Sequence, residues 1–552
     1  MRLSPSVHVD TFCRDNLPPA ETWPELVFDL PALQYPQQLN CAVELLDRTI
    51  EEHGDERPCL LSPVGDRWTY GDLRARSNQV AHLLVDELGM VAGNRVLLRG
   101  PNNPWLVACW FGVLKAGGVV VTTMPLLRPR ELTTVHQIAQ IDFALCDSRF
   151  LDDLEASDLA EVTTVTYGAD APEDLSRRSA SLPVEFAAVD TAADDVALLA
   201  LTSGTTGRPK ATMHFHRDVL ANADTFSTHV LRPTRNDVFT GTPPLAFTFG
   251  LGGLVVFPLR VGASTLLLEK ATPDELAGHI AAHQVTVCFT APTAYRALLG
   301  EGSVERLATL RRCVSAGEHL PLATWKAFAD ATGVKIIDGI GSTEMLHIFI
   351  SAADDDIVPG STGKPVPGYQ AAVLDDSGES APVGQVGHLA VKGPTGCRYL
   401  TDARQAEYVQ NGWNITGDTF VRDEHGYFWY QARSDDMIVS AGYNIAGPEV
   451  EEAVLRHPDV TECAVVGVPD EARGQVVKAY VVLRAGGLAD EAMARTLQDF
   501  TKAEIAPYKY PRVIEFVDEL PRTSTGKLQR FRLREAAAKA QTGSAVEVAG
   551  DD

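Results

Sequence analysis

Leu201-Thr202-Ser203-Gly204-Thr205-Thr206-Gly207-Arg208-Pro209-Lys210 directly follows the apolar run VALLAL at 196–201. A buried strand that runs into hydroxyl and glycine residues presents backbone N–H and side-chain O–H donors to phosphate oxygens, and Arg208 and Lys210 add positive charge. Such a loop can cradle a polyphosphate. It is not a Walker A loop, because the spacing to Lys210 is wrong and Ala211 stands where a Ser or Thr would hold magnesium; it also lacks GxGxxG. SGTTG alone is an ordinary flexible turn, so the specificity lies in the whole string.

Around the loop, from about 190 to 345, short apolar runs alternate with helical stretches. VTVCFTAP (285–292), LRRCVSAG (310–317) and KIIDGIG (335–341) each read as a buried strand ending in a loop. Thr272-Pro273-Asp274-Glu275 is a capping box with Pro at the first helical position, opening the helix ELAGHIAAHQ. Strand, loop and helix in repetition predict a mostly parallel α/β sheet, whose ligands sit off the carboxyl ends of the strands. From 370 to 430 the texture changes to AAVLDDSGE, GHLAVKG and TFVRDEHGYFWY, short alternating strands of a small β-barrel-like subdomain. After Arg433 it changes again, to a helix opened by Pro448, strands ECAVVGV and KAYVVL, a helix near 490–503 and strand RVIEFV. The predicted architecture is a large N-terminal α/β domain (1–434), a small mobile α+β domain (435–536) and a disordered tail (537–552) of small polar residues.

The chain has 552 residues, 73 acidic and 48 basic side chains and a formal charge of −25. That length predicts several modules. So acidic a surface repels phosphodiester backbones and anionic lipid, which argues against nucleic-acid and membrane partners. The exception is LPRTSTGKLQRFRLR (520–534), with Arg522, Lys527, Arg530, Arg532 and Arg534 and no acidic residue; it marks a place for small phosphorylated ligands. The nine cysteines are dispersed and never spaced CxxC, as expected of reduced thiols in a cytoplasmic protein. MRLSPSVHVDTFCRDN has no apolar core and is not read as a signal peptide. The apolar windows Trp105–Val121 and Leu251–Leu268 contain Lys115 and Arg260 and read as buried elements, not membrane spans.

With Trp68-Thr69-Tyr70-Gly71-Asp72-Leu73, Leu114-Lys115-Ala116-Gly117-Gly118 and the phosphate loop in this order, the chain resembles the adenylate-forming enzymes: acyl- and aryl-CoA synthetases, adenylation domains and beetle luciferases. The resemblance implies ATP, Mg2+ and coenzyme A as cofactors. It implies attack of a carboxylate on the α-phosphorus of ATP with loss of pyrophosphate, then attack of a thiolate on the acyl-adenylate.

The resemblance also implies residue roles. Thr202, Ser203, Gly204, Thr205, Thr206, Gly207 and Lys210 would bind the phosphates. Ser315-Ala316-Gly317-Glu318 and Asp338-Gly339-Ile340-Gly341-Ser342 would face the nucleotide, although Ile340 stands where many members place an aromatic ring for adenine. Thr343 would touch the α-phosphate and Glu344 would hold magnesium; taken alone, this hydroxyl–carboxylate pair is also a common helix start. Asp418 of Thr416-Gly417-Asp418 would accept from the ribose hydroxyls, Arg433 would lie near ribose and phosphates, and Asp435 would be the hinge. Lys527 would bridge substrate carboxylate and α-phosphate, since bringing two anions together without a cation is costly. Rotation of the small domain would then replace Lys527 by the loop Val439–Asn444, with Gly442 and Tyr443 in the thiol channel.

In the acyl segment Pro243–Gly252, no Asp is present to bind an α-amino group; Phe247, Thr248, Phe249 and Gly250 would face the substrate. The string Asp338–Phe349, followed by Gly363-Lys364-Pro365-Val366-Pro367-Gly368-Tyr369, looks much more like benzoate- and 2-aminobenzoate-CoA ligases than like fatty-acyl ligases, with His347 bordering the ring; a lone His among Leu, Ile and Phe is more often a satisfied core residue. The expected partner is a small aromatic carboxylate, with free CoA as acceptor. A carrier protein as acceptor, a branched or medium-chain acid, a non-catalytic nucleotide-binding scaffold and a homodimer stay open.

Overall fold

The computed structural model describes residues 3–159, 161–169, 171–202, 209–300, 303–433, 436–440, 443–470, 473–505, 507–522 and 528–547. The expected phosphate-loop residues Ser203 to Arg208, the hinge Asp435, Gly442 and Lys527 lie outside them, as do residues 548–552.

Four sheets organise the chain. The first has six strands in the order Thr163–Tyr167, Phe143–Asp147, Arg95–Arg99, Val119–Thr123, Val196–Thr202 and Lys210–Phe215. Its pairings are parallel except the last, where Val196–Thr202 and Lys210–Phe215 run antiparallel with Thr202 opposite Lys210. The phosphate loop thus joins two arms of a hairpin, unlike a Walker A loop, which opens a helix.

The second sheet has nine strands, and its centre, Ile336–Gly341, Arg312–Ser315, Val287–Thr290, Val238–Gly241 and Ser264–Leu266, is parallel. Three of these, Ile336–Gly341, Arg312–Ser315 and Val287–Thr290, are strands predicted from the apolar runs; Val238–Gly241 and Ser264–Leu266 were not. Between two of them the Thr272 hydroxyl accepts from the Glu275 amide at 3.3 Å, and the Glu275 carboxylate accepts from the Thr272 amide at 2.8 Å, opening the helix Pro273–Ala282. The antiparallel third sheet, built from Gln370–Leu374, Val386–Lys392, Val409–Gln410, Trp413–Arg422 and Phe428–Arg433, is the β subdomain. A fourth, from Ile438–Ser440 to Val513–Phe516, packs with the helices Gly447–Leu455 and Glu491–Glu504.

Two early motifs turn out to hold structure. The Thr69 hydroxyl and Asp72 carboxylate form a capping box for the helix Tyr70–His82. Lys115 is buried against Asp47 at 2.7 Å and the Asn78 side chain at 2.9 Å. One expectation is corrected: the helix Arg530–Glu547 runs well into the stretch assigned to a disordered tail. Leu533 and Ala537 are buried against the fourth sheet, and the alanines that follow are strong helix formers, so small residues extend the helix instead of ending it. All nine cysteines are free and buried. Among the described residues no helix is long and apolar enough to cross a membrane.

Candidate active site

The carboxyl ends of the parallel strands open into one cleft of about 880 Å³ that also receives the third and fourth sheets. Thr202 and Lys210 border it from the first sheet; Gly317, Glu318 and the run Asp338 to Glu344 border it from the second. Asp418 and Arg433 come from the third. Ala316 lies just behind, in the core. Residues expected on sequence grounds and separated by up to 231 positions are therefore brought to one wall.

Lys210 reaches Tyr399: its ammonium donates to the Tyr399 hydroxyl at 2.8 Å and lies 4.5 Å from the centre of that ring. The same hydroxyl donates to Glu344 Oε1 at 2.5 Å. Thr202 Oγ1 is buried and has no hydrogen-bond partner among the described residues, as a group kept for a ligand oxygen would be. Thr343 is held through its backbone, with buried His214 Nε2 donating to its carbonyl at 2.8 Å. His214 stands 3.8 Å from Asp218, which is paired in turn with fully buried Arg398.

The turn carrying Thr343 and Glu344 is tight. A β-carbon at Gly341 would lie 2.5 Å from the His347 carbonyl oxygen, so the strands Ile336–Gly341 and Ile348–Ser351 close only around glycine. Leu346 adopts φ 69°, the left-handed region that costs a side-chain-bearing residue about 1 kcal/mol.

Asp338 is the most perturbed carboxyl of the cleft. Burial pushes its pKa up to about 8, and Oδ1 has no partner among the described residues. It is protonated at neutral pH and offers one donor and one acceptor. Across the cleft Arg433 Nη1 approaches Asp418 Oδ1 at 3.3 Å, and the Asp418 amide donates to the Thr416 hydroxyl at 3.2 Å. Gly417 takes φ 78°, and a β-carbon there would come within 3.0 Å of Arg433 Nη2.

Behind the strand Ile336–Gly341 lies an aromatic cluster. Phe249 lies on the short helix Thr248–Leu251, for which Phe247 is the N-cap; a β-carbon at Gly250 would meet the Pro244 carbonyl at 2.1 Å. The His347 ring lies 5.6 Å from Phe249, 4.6 Å from Phe257 and 5.4 Å from Phe226, measured between centroids. Phe289 completes the group at 6.4 Å. Burial pushes the His347 pKa down to about 3, against a smaller opposing pull from the Phe249 backbone, so the ring is neutral.

The basic island proves largely neutralised. Arg522 pairs with Glu462 at 2.7 Å and Glu318 at 3.5 Å, Arg530 with Glu451 at 2.7 Å, and Arg534 with Asp436. These arginines still line the cleft, but their charge is shared with carboxylates of the protein. Tyr443 opens the strand Tyr443–Ile445 beside the undescribed Gly442.

Sequence reasoning missed Tyr399, His214, Phe226, Phe257 and Phe289. A tyrosine or phenylalanine in an apolar segment carries no local sign of what it meets. Only the apolar patterning around His347 hinted at an aromatic surround.

Residues 46–399 match the AMP-binding enzyme family, and residues 449–527 match the AMP-binding enzyme C-terminal domain. The chain belongs to the AMP-binding enzyme family, the AMP-forming acid–thiol ligases. It is 34% identical over 516 residues to a benzoate–CoA ligase of Thauera aromatica, covering 92% of this chain and 98% of that one. Among solved structures it resembles an anthranilate CoA ligase, AuaEII, in complex with anthranoyl-AMP, with a TM-score of 0.87, 35% identity, and coverage of 93% of this chain and 100% of that one. A benzoate CoA ligase from Burkholderia xenovorans LB400 follows at a TM-score of 0.83 and 32% identity, over 90% of this chain and 100% of that one.

Proposed function

We propose that the protein activates an aromatic carboxylic acid of the benzoate or 2-aminobenzoate type with ATP and transfers the acyl group to CoA, releasing AMP and pyrophosphate, in the cytoplasm. The observation that carries this reading is the cluster of four phenylalanines around neutral His347, set behind the strand Ile336–Gly341 that holds Asp338 and the turn that carries Glu344. Aromatic surroundings suit a benzene ring, and the segment Pro243–Gly252 offers no carboxylate to an α-amino group. The relatives named for benzoate and anthranilate point the same way.

Within this reading Lys210 and the loop before it bind the phosphates, with Thr343 at the α-phosphate. Asp338, protonated, meets both a donor and an acceptor on the adenine edge. Asp418 accepts from the ribose hydroxyls beside Arg433. Lys527 neutralises the meeting of carboxylate and phosphate, and Asp435 is the hinge by which Gly442 and Tyr443 enter the thiol channel. Phe247, Thr248, Phe249 and Gly250 shape the acyl side with His347.

Among the described residues no group of three or more His, Cys, Asp or Glu side chains could hold a metal ion. Glu344 nonetheless fits magnesium: a carboxylate on the cleft wall supplies one ligand to an ion that takes the rest from phosphates and water. Bound there, magnesium would offset phosphate charge.

The test is a panel of aromatic acids with pyrophosphate and AMP release as readouts. CoA-dependent AMP release with benzoates is expected, and its absence across the panel would overturn the proposal. Accumulation of acyl-AMP with CoA inert would instead assign a carrier-protein acceptor.

A further inference from the structure

Tyr399 stands between the two charged side chains assigned to phosphate and metal. Its ring is fully buried, and its backbone is tied to the strand that begins at Lys210: the Leu400 amide donates to the Ala211 carbonyl at 2.9 Å, and the Met213 amide donates to the Arg398 carbonyl at 2.8 Å. The Tyr399 amide is itself held by Gln405 Oε1 at 2.9 Å. The backbone that carries Tyr399 is therefore tied to the strand that carries Lys210. The hydroxyl accepts from Lys210 Nζ at 2.8 Å and donates to Glu344 Oε1 at 2.5 Å, while Glu344 is itself nearly buried.

The direction of those bonds matters. An ammonium can only donate and a carboxylate can only accept, and the Tyr399 hydroxyl satisfies both at once. Without it the two opposite charges are free to collapse into a direct pair. That pair would compete with phosphate for Lys210 and with a cation for Glu344. With the hydroxyl in place each charge is compensated but one atom removed, and a carboxylate has lone pairs enough to keep the Tyr399 bond while ligating a cation.

We propose that Tyr399 is a positioning residue that sets the magnesium dependence of nucleotide binding, by orienting Glu344 and keeping Lys210 from pairing with it. The inference rests on the assignment of Glu344 to magnesium made above, and Tyr399 itself touches neither reactant.

The experiment is a titration of α,β-methylene-ATP binding against Mg2+ by calorimetry, on the full chain and without turnover. Tyr399→Phe is expected to raise the half-saturating Mg2+ concentration roughly tenfold, the loss of one hydrogen bond to a charged group. Excess Mg2+ should then restore analogue affinity to within about twofold of wild type, a rescue that general damage to the fold would not show. Glu344→Gln is the control on the underlying assignment. If Glu344→Gln raises the Mg2+ requirement and Tyr399→Phe does not, the role of Tyr399 is refuted while the assignment of Glu344 stands. If Glu344→Gln leaves the requirement unchanged, the assignment itself fails. A Tyr399→Phe deficit that no Mg2+ concentration relieves also overturns the proposal. Should the variant not fold, 3-fluorotyrosine at position 399 keeps the shape and strengthens the donor; it should lower the Mg2+ requirement, and a rise would count against the inference.

Discussion

Asp418 and Arg433 face each other across the antiparallel strands Trp413–Arg422 and Phe428–Arg433, with Nη1 and Oδ1 3.3 Å apart. One register pair thus delivers an acceptor and a cation to the same spot on the cleft wall. Asp418→Ala should raise the KM for ATP by one to two orders of magnitude, because hydrogen bonds to a charged group are each worth about 1.5–3 kcal/mol. The specific signature is the sugar: wild type should bind 2′-deoxy-ATP more weakly than ATP, and the variant should bind both alike. Equal discrimination in both proteins would remove Asp418 from the ribose.

Asp338 titrates at about 8 because it is buried. Below that pH the carboxyl is protonated and can donate; above it the donor is lost. Affinity for an ATP analogue should therefore fall as pH rises through about 8, and Asp338→Asn, which cannot ionise, should flatten the profile. Calorimetric titrations between pH 6.5 and 9 decide this, and a parallel decline in both proteins would place the effect elsewhere.

His347 carries the opposite sign. Its pKa is near 3 in the folded chain against 6.5 for an ordinary imidazole, so the unfolded chain binds the extra proton first and stability is lost as pH falls below 6.5. His347→Phe, which matches its four aromatic neighbours, should be the more stable protein in acid. The gap should widen by about 1.4 kcal/mol per pH unit between 6.5 and 3. Denaturant midpoints at three pH values would show it, and a constant gap would contradict it. In the substrate panel the same variant should lose preference for rings bearing an amino or hydroxyl group relative to benzoate.

Lys527→Ala should cut acid-dependent pyrophosphate release by at least two orders of magnitude and largely spare thioester formation from supplied acyl-adenylate. Asp435→Pro, which stiffens the backbone at the expected hinge, should do the reverse. Loss of the same half-reaction in both variants would refute domain alternation.

Much was legible along the chain because it is encoded within a few residues. The strands Val287–Thr290, Arg312–Ser315 and Ile336–Gly341 follow from apolar runs, and the helix Pro273–Ala282 from its capping box. The motifs around Thr202, Glu344 and Asp418 were legible through the family resemblance they carry, and the cleft gathers them. The tail misled because Ala-rich composition suits a helix as well as a flexible end; packing of Leu533 and Ala537 on the fourth sheet settled which.

What sequence alone determined was the family, and through it the kind of reaction, because the family's motifs are short strings that occur here in the family's order. Tertiary structure decided how those groups are held. Tyr399 reaches Lys210 across 189 positions and Glu344 across 55, and Phe226 meets His347 from a separate helix. It also decided that most of the basic island is already paired within the protein. Pairings over such separations depend on which strands become neighbours in a sheet, and that is a property of the whole folded chain, not of any segment of it.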